Sequence, residues 1–181
     1  MKNKALFLDR DGIINIDYGY VYKVENFEFI DGIFGLVQRA KKENYLVIII
    51  TNQAGIGRGF YTEADFHALT KWMCEEFQAR DAAIDGVYFS PFHPTAALGK
   101  YLKDDLSRKP NPGMILEAKL NFDIDLKTSI LIGDKISDIE AGISAGVSKN
   151  ILFNPEGTSN NSGLEFYQVK SLKEAASFFS S

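Results

Sequence analysis

Two aspartates separated by one residue, Asp9 and Asp11, close a short apolar run in Leu6-Phe7-Leu8-Asp9-Arg10-Asp11-Gly12. Residues two apart on an extended chain point the same way, so both carboxylates can face one pocket. Carboxylates that close repel, and they hold protons more tightly unless a cation or donor lies between them. A bound Mg²⁺ resolves that conflict and also attracts phosphate. Three other segments supply complementary groups. Ile50-Thr51-Asn52-Gln53 ends a second apolar run with a hydroxyl and amides, and Arg108-Lys109-Pro110 supplies fixed positive charge. Ile132-Gly133-Asp134-Lys135 ends a further run, with Asp138 one helical turn later. In chain order these segments deliver a carboxylate pair, a hydroxyl, a lysine and a carboxylate.

Such groups meet only if the fold brings their ends to one edge. Short apolar runs at Ala5–Leu8, Leu46–Ile50, Gly86–Phe89, Ser129–Ile132 and Asn150–Phe153 alternate with longer helical stretches. That alternation predicts an α/β fold with a mainly parallel sheet covered on both faces. Asp31 is a candidate cap for a helix reaching about Glu43. Thr62-x-x-Asp65 has the form of a capping box, and Phe66, Leu69, Met73 and Phe77 then share one helical face. Asn111-Pro112 reads as a cap and first turn, Ser137-x-x-Glu140 opens a helix that Gly146 can close, and Ser171-x-x-Glu174 starts a last one. Asn154 to Gly163 reads as a surface loop. Two long non-periodic stretches, Gly12 to Asn26 and Pro91 to Ser107, follow strands, where ligands of open parallel sheets sit.

The 181 residues fit one domain, and 45% hydrophobic against 24% charged residues is an ordinary globular balance. Twenty Lys and Arg against 24 Asp and Glu leave a formal charge of −4, which argues against a nucleic-acid surface. No apolar run approaches the ~20 residues of a membrane span. The start of the chain lacks the apolar stretch of a signal peptide. Cys74 stands alone, which excludes an internal disulfide and any Cys-rich metal site. The expectation is a soluble cytoplasmic protein, a monomer without nucleic-acid or membrane partners.

The four motif segments resemble those of the haloacid dehalogenase (HAD) superfamily of phosphohydrolases. The resemblance extends to its histidinol-phosphatase and heptose-bisphosphate phosphatase branch through Phe7-Leu-Asp-Arg-Asp-Gly12, Asp17-Tyr-Gly-Tyr-Val21, Asn26-Phe-Glu-Phe-Ile-Asp-Gly32, Thr51-Asn-Gln-Ala-Gly-Ile-Gly-Arg-Gly59 and Arg108-Lys-Pro-Asn-Pro-Gly-Met114. It covers nearly the whole chain and implies a single Rossmann-like, three-layer domain over residues 1–181. The gaps between Asp11 and Thr51 and between Thr51 and Lys109 are too short for a folded cap domain, so the enzyme should be capless. The resemblance implies a Mg²⁺-dependent phosphatase that removes the 7-phosphate of D-glycero-D-manno-heptose 1,7-bisphosphate, a small phosphorylated sugar, with histidinol phosphate as the alternative substrate. It makes Asp9 the nucleophile, Asp11 the acid and base, and Thr51 and Lys109 the groups that stabilise the transferring phosphoryl. Mg²⁺ would be held by Asp9, Asp11 through its carbonyl, and Asp134. Substrate contacts fall to Asp17, Tyr18, Gly19, Tyr20, Asn52, Gln53, Ala54, Arg108 and Lys135, with the guanidinium fork of Arg108 suited to a second phosphate.

The match departs from the family at one place. Many similar enzymes hold a structural zinc through Cys-x-His and Cys-x-Cys, where this chain has Ser90-x-Phe92 and Asp105-x-Ser107. His93 alone cannot build a tetrahedral site, so no zinc is expected. The Pro91–Ser107 loop should then be more mobile, or be ordered by Phe92, Leu98, Tyr101 or Leu102.

Other patterns are weaker. Cys74-x5-Arg80 has the bare form of a cysteine phosphatase loop, but it lies mid-helix, and Glu75 and Glu76 work against a thiolate. Gly55-x-Gly57-x-Gly59 is neither a P-loop nor a dinucleotide fingerprint. His67 is expected on a helix surface and Trp72 against the sheet. A phospho-accepting receiver module would carry its acceptor on the third strand, whereas the paired aspartates here end the first.

Overall fold

The computed structural model describes residues 2–158 and 162–179. Six strands form one parallel sheet: β1 (Lys4–Leu8), β2 (Tyr45–Asn52), β3 (Gly86–Ser90), β4 (Ile130–Gly133), β5 (Lys149–Phe153) and β6 (Tyr167–Val169). Their order across the sheet is β3-β2-β1-β4-β5-β6. The chain thus winds outward from β1 through β2 to β3, then restarts at β4 on the other side of β1. A crevice opens at such a reversal, outside the carboxyl ends of the strands. Phe7 is in register with Leu131 and Leu8 with Ile132, so Asp9 lies beside the end of β4, donating its N–H to the Ile132 carbonyl (3.2 Å).

Strand alternation sorts the core into two layers. Leu6, Leu8, Val47, Ile49, Ile130 and Ile132 face one layer, packed with α1 (Ile33–Lys42) and α3 (Glu63–Gln78). Ala5, Phe7, Ile48, Ile50 and Leu131 face the other, with α4 (Gly113–Phe122) and α5 (Ile136–Ala145). Two short helices, α2 (Ala54–Gly57) and α6 (Leu172–Ala175), complete the set. No folded insert separates β1 from β2 or β2 from β3, so the α/β domain is capless.

The expected strands are present, and β6 is additional. It is three residues long at the sheet edge, with Tyr167 and Gln168 exposed, so neither alternation nor an apolar run marks it. The Thr62 capping box forms in full, Gly146 closes α5 at φ +91°, and Ser171 Oγ accepts from the Glu174 N–H. Three helix starts differ from expectation. Asp31 caps nothing: the turn into α1 is made at Gly32, with φ +85°, a region open to glycine. Asn111 is spent on the preceding loop, donating to the Asp105 carbonyl at 3.1 Å, so α4 begins after Pro112. Ser137 lies inside α5, whose entry is fixed by Asp138 accepting from the Lys135 N–H at 3.0 Å. Of the expected 154–163 loop, residues 159–161 lie outside the described residues. His67 is exposed, and Trp72, expected against the sheet, packs edge-on against Phe27 and at a tilt against Phe29. No helix among the described residues is long and apolar enough to cross a membrane.

Candidate active site

Alternation along β1 points Asp9 toward the layer of Phe7, where the segment entering α4 places Lys109. Lys109 Nζ lies 2.8 Å from Asp9 Oδ1, 2.6 Å from Asp138 Oδ1 and 2.9 Å from the Ile50 carbonyl. Asn52, on the same face of β2 as Ile50, secures the lysine's backbone: its amide donates to the Lys109 carbonyl and accepts from the Lys109 N–H, both at 3.0 Å. All three charged groups are buried. Burial alone would lower the Lys109 pKa, but Asp138 and Asp9 overcome it and hold the ammonium above its ordinary value.

One lysine does not balance the carboxylates. Asp9, Asp134 and Asp138 each present an oxygen within 4.8 Å of the others. Burial, with Asp138 and Asp134 beside it, raises Asp9 well above the usual carboxylate range despite Lys109. Asp134 is pushed up to about 6, first by burial and then by Asp138. Asp134 Oδ1 is buried without a hydrogen-bond partner among the described residues. Oxygen donors in negative surplus, one of them unsatisfied, fit a hard divalent cation such as Mg²⁺. Gly12 permits the approach: at φ +96°, any Cβ there would overlap the Asp134 carboxylate.

Asp11 is gripped from two sides. Its Oδ1 accepts from Arg10 Nη2 (2.9 Å) and Asn15 Nδ2 (3.0 Å), and its Oδ2 from Gln53 Nε2 (3.0 Å). Gln53 Nε2 also donates to Thr51 Oγ1 at 2.8 Å, and Gln53 Oε1 accepts from the Tyr61 hydroxyl. Tyr61 is buried, stacked on Tyr22 with centroids 5.0 Å apart, and burial pushes its phenol pKa up. Sequence reasoning missed Tyr61, Arg10 and Asn15. Arg10 and Asn15 flank Asp11 closely enough to be suspected, whereas only the fold brings Tyr61 to Gln53.

These groups border a cavity of about 500 Å³. Asp9, Asp11, Asp17, Gly19, Tyr20, Asn52, Gln53, Ala54, Arg108, Lys109 and Lys135 line it, as do Gly55, Tyr61, Ser137 and Asp138. Thr51 is fully buried beneath, its hydroxyl turned to Gln53. Asp134 stands at the side, bordering a second hollow with Gly12 and Asp17. Tyr18 is not brought to the cavity. It is 60% exposed and donates to Glu28 at 2.6 Å, because the turn at Gly19 (φ +78°) and Tyr20 (φ +54°) swings it outward. Lys135 Nζ reaches Asp17 at 3.2 Å and so closes the loop against the β4 end. Arg108 donates to the Phe92 carbonyl at 3.1 Å, and burial with neighbouring Arg58 lowers its affinity for its proton.

The Pro91–Ser107 loop is held by polar groups. Ser107 Oγ donates to Asp105 Oδ1 (2.7 Å) and is 2.9 Å from Ser90 Oγ, and Lys103 pairs with Asp105 at 2.8 Å. Against the cost of burial, Lys103 and Ser107 hold the Asp105 carboxyl below its usual range. Tyr101 donates to Glu63 at 2.6 Å and packs against Phe92. Leu98 and Leu102, expected to pack, are 66% and 50% exposed. His93 Nδ1 accepts from the N–H groups of Thr95 and Ala96, which ties its ring to the loop backbone. Cys74 lies mid-helix in α3 with its thiol pKa raised by burial and by Glu75, the opposite of a nucleophile's environment.

The HAD-hydrolase-like family profile matches residues 106–171. The chain is 57% identical to the D-glycero-alpha-D-manno-heptose-1,7-bisphosphate 7-phosphatase of Burkholderia mallei, over 84% of this chain and 80% of that one. It is 49% identical to the enzyme of the same name from Campylobacter jejuni, over 99% and 97%. The D-glycero-beta-D-manno-heptose-1,7-bisphosphate 7-phosphatase of Escherichia coli is 43% identical over 82% and 78%. Among solved structures, a Mesorhizobium loti protein described as a HAD-like phosphatase superposes with a TM-score of 0.89 at 29% identity, covering 98% and 86%. The D,D-heptose 1,7-bisphosphate phosphatase of B. bronchiseptica, complexed with magnesium and phosphate, shares the fold at a TM-score of 0.81 and 23% identity, covering 97% of each chain. With relatives this similar aligned over most of their length, the chain belongs to the D-glycero-D-manno-heptose-1,7-bisphosphate 7-phosphatase family of HAD-like hydrolases.

Proposed function

We propose that this protein is a phosphoric monoester hydrolase that removes the 7-phosphate of D-glycero-D-manno-heptose 1,7-bisphosphate, with the α anomer at C1 as its substrate. The observation that carries the chemistry is the buried Asp9–Lys109–Asp138 set under a cavity whose mouth carries Arg108 and Lys135. The relatives named for the α anomer are 57% and 49% identical and the E. coli β-anomer enzyme 43%. Histidinol phosphate is not favoured: these relatives are named for heptose, and two cations at the mouth suit a second phosphate better than an amine.

In this reading an Asp9 oxygen attacks phosphorus to form an aspartyl-phosphate while the bond from phosphorus to the sugar oxygen breaks. Asp11 gives its proton to that departing oxygen, which would otherwise leave as a strongly basic alkoxide. Asp11 then takes a proton from the water that attacks the aspartyl-phosphate, releasing phosphate and restoring Asp9. Lys109 and Thr51 stabilise the equatorial charge of the transferring group. Asp9, the Asp11 carbonyl and Asp134 would hold Mg²⁺, which supplies charge neutralisation at the phosphoryl oxygens. Arg108 and Lys135 take the 1-phosphate, and Asp17, Gly19, Tyr20 and Ala54 border the sugar. The protein acts in the cytoplasm as a monomer on this small sugar, toward nucleotide-activated heptose, without nucleic acid, membrane or zinc.

Phosphate release with Mg²⁺ from both heptose 1,7-bisphosphate anomers and from histidinol phosphate tests the assignment. A preference for the α anomer of about a hundredfold, or 2.7 kcal/mol in transition-state binding, is expected. A β preference overturns the anomer, and a histidinol phosphate preference overturns the sugar.

A further inference from the structure

Arg10 separates the two aspartates and is itself buried, at 2% exposure. Its Nη2 donates to Asp11 Oδ1 at 2.9 Å and also to the Val21 carbonyl at 2.7 Å. Nε and Nη1 have no hydrogen-bond partner among the described residues. The guanidinium instead faces the Phe66 ring, 5.9 Å from its centroid. Burying an ion with donors idle is expensive, and an apolar side chain of similar volume is often equally or more stable in such a place. Packing alone therefore does not account for an arginine here.

What Nη2 joins does account for it. Val21 ends the loop whose Asp17, Gly19 and Tyr20 line the cavity, and Tyr20 sits at φ +54°, a conformation that side chains with a Cβ rarely adopt. Gln53 pins Asp11 at Oδ2, while Arg10 and Asn15 are the donors to Oδ1 among the described residues. Asn15 belongs to the turn after Asp11, whereas Arg10 hydrogen-bonds directly both to the carboxyl and to the far end of the cavity-lining loop.

We propose, resting on the reading of Asp11 as the acid and base, that Arg10 is a positioning residue coupling Asp11 to the Asp17–Val21 loop. The carboxyl that protonates the leaving oxygen is thereby held in register with the loop that borders the sugar. Arg10 does not line the cavity. Its loss should weaken proton donation and leave the attack by Asp9 intact.

The test compares Arg10→Met, Arg10→Lys and Asp11→Asn on two substrates with Mg²⁺. Heptose 1,7-bisphosphate needs its leaving oxygen protonated. p-Nitrophenyl phosphate does not, and its rapid-mixing burst of nitrophenolate reports attack by Asp9. For Arg10→Met, kcat on the bisphosphate should fall about tenfold or more, with KM and the nitrophenolate burst rate within about threefold of the parent. Arg10→Lys keeps the charge without the fork and should recover part of the loss. Equal losses in kcat on the bisphosphate and in the nitrophenolate burst rate would make Arg10 merely structural and overturn the proposal, as would no loss in either. If Asp11→Asn shows the split and Arg10→Met does not, the Arg10 proposal alone fails. If Asp11→Asn shows no split, the acid–base reading itself falls. Should Arg10→Met not fold, Arg10→Lys carries the same comparison with a smaller split.

Discussion

Lys109 is where the electrostatics of the site meet, because among the described residues it is the one cation buried against Asp9 and Asp138. Removing one partner of a buried ion pair leaves uncompensated charge, a loss of about 3–5 kcal/mol. Lys109→Ala should therefore destabilise the metal-free protein by about that much near neutral pH, and abolish turnover. Urea unfolding checks the first outcome and phosphate release the second. Asp9→Asn works in the opposite sense, since it deletes one of the surplus carboxylates. It should end turnover while leaving the metal-free protein at least as resistant to urea as the parent, and retained activity would overturn the nucleophile assignment. Residue type and motif spacing made Asp9, Asp11, Thr51, Lys109 and Asp134 legible before any fold was known. The side-chain roles of Asn52 and Gln53 were not, because an amide can bond backbone, substrate or neighbour equally well. Only the alternation of β2 decides that Asn52 secures Lys109 while Gln53 reaches Asp11.

Between the strand ends and the site stand short turns whose shape is set by single residues. At Gly12 the backbone has φ +96° and the Asp134 carboxylate occupies the space of a side chain. Gly12→Ala should raise the Mg²⁺ concentration for half-maximal activity by about tenfold or more, since strain and overlap together cost on the order of 1–3 kcal/mol at the cation's ligand. A Mg²⁺ titration of turnover reads this directly, and an unchanged midpoint would remove Asp134 from the metal set. The 91–107 loop teaches a related lesson. Its long non-periodic stretch marked it as a candidate for function, and its lack of thiols was plain. How Asp105, Ser107 and Ser90 bond to one another was not, because hydroxyl–carboxylate pairing leaves no periodic signal. Arg108 follows Ser107 directly, so Asp105→Ala should raise KM for the bisphosphate several-fold and leave KM for a small monophosphate unchanged. Equal changes for both would uncouple the loop from the second-phosphate contact. The capping box at Thr62 could be read locally, whereas Asn111 and Asp31 were misread because tertiary bonds and a left-handed glycine set those boundaries.

Across the whole molecule, the reversal of strand order between β1 and β4 concentrates acids at one crevice, a charge that either a proton or a cation can offset. Alternating apolar runs were enough to imply the parallel sheet. The order of the strands across the sheet was not legible in those runs, and the edge strand β6 was too short and too polar to announce itself. The concentration of charge has a measurable consequence. In the metal-free protein, burial and then Asp138 carry Asp134 from 3.8 up to about 6, and Asp9 is raised as well. The folded state thus binds these protons more tightly than the unfolded chain does. Their contribution to stability is fully present below the unfolded carboxylate value; that of Asp134 is lost as pH rises through about 6, and that of Asp9 as pH rises through its own raised value. Mg²⁺ takes the place of the proton and restores what ionisation removes, so its stabilising effect must grow across the same window. Melting curves with Mg²⁺ and with EDTA should differ little near pH ~4.5 and clearly near pH ~8. The apparent Mg²⁺ affinity should weaken by up to about tenfold per unit below pH ~6. A Mg²⁺-induced shift of equal size at both ends of that range would show that the cation does not bind at the acids of the β1–β4 crevice.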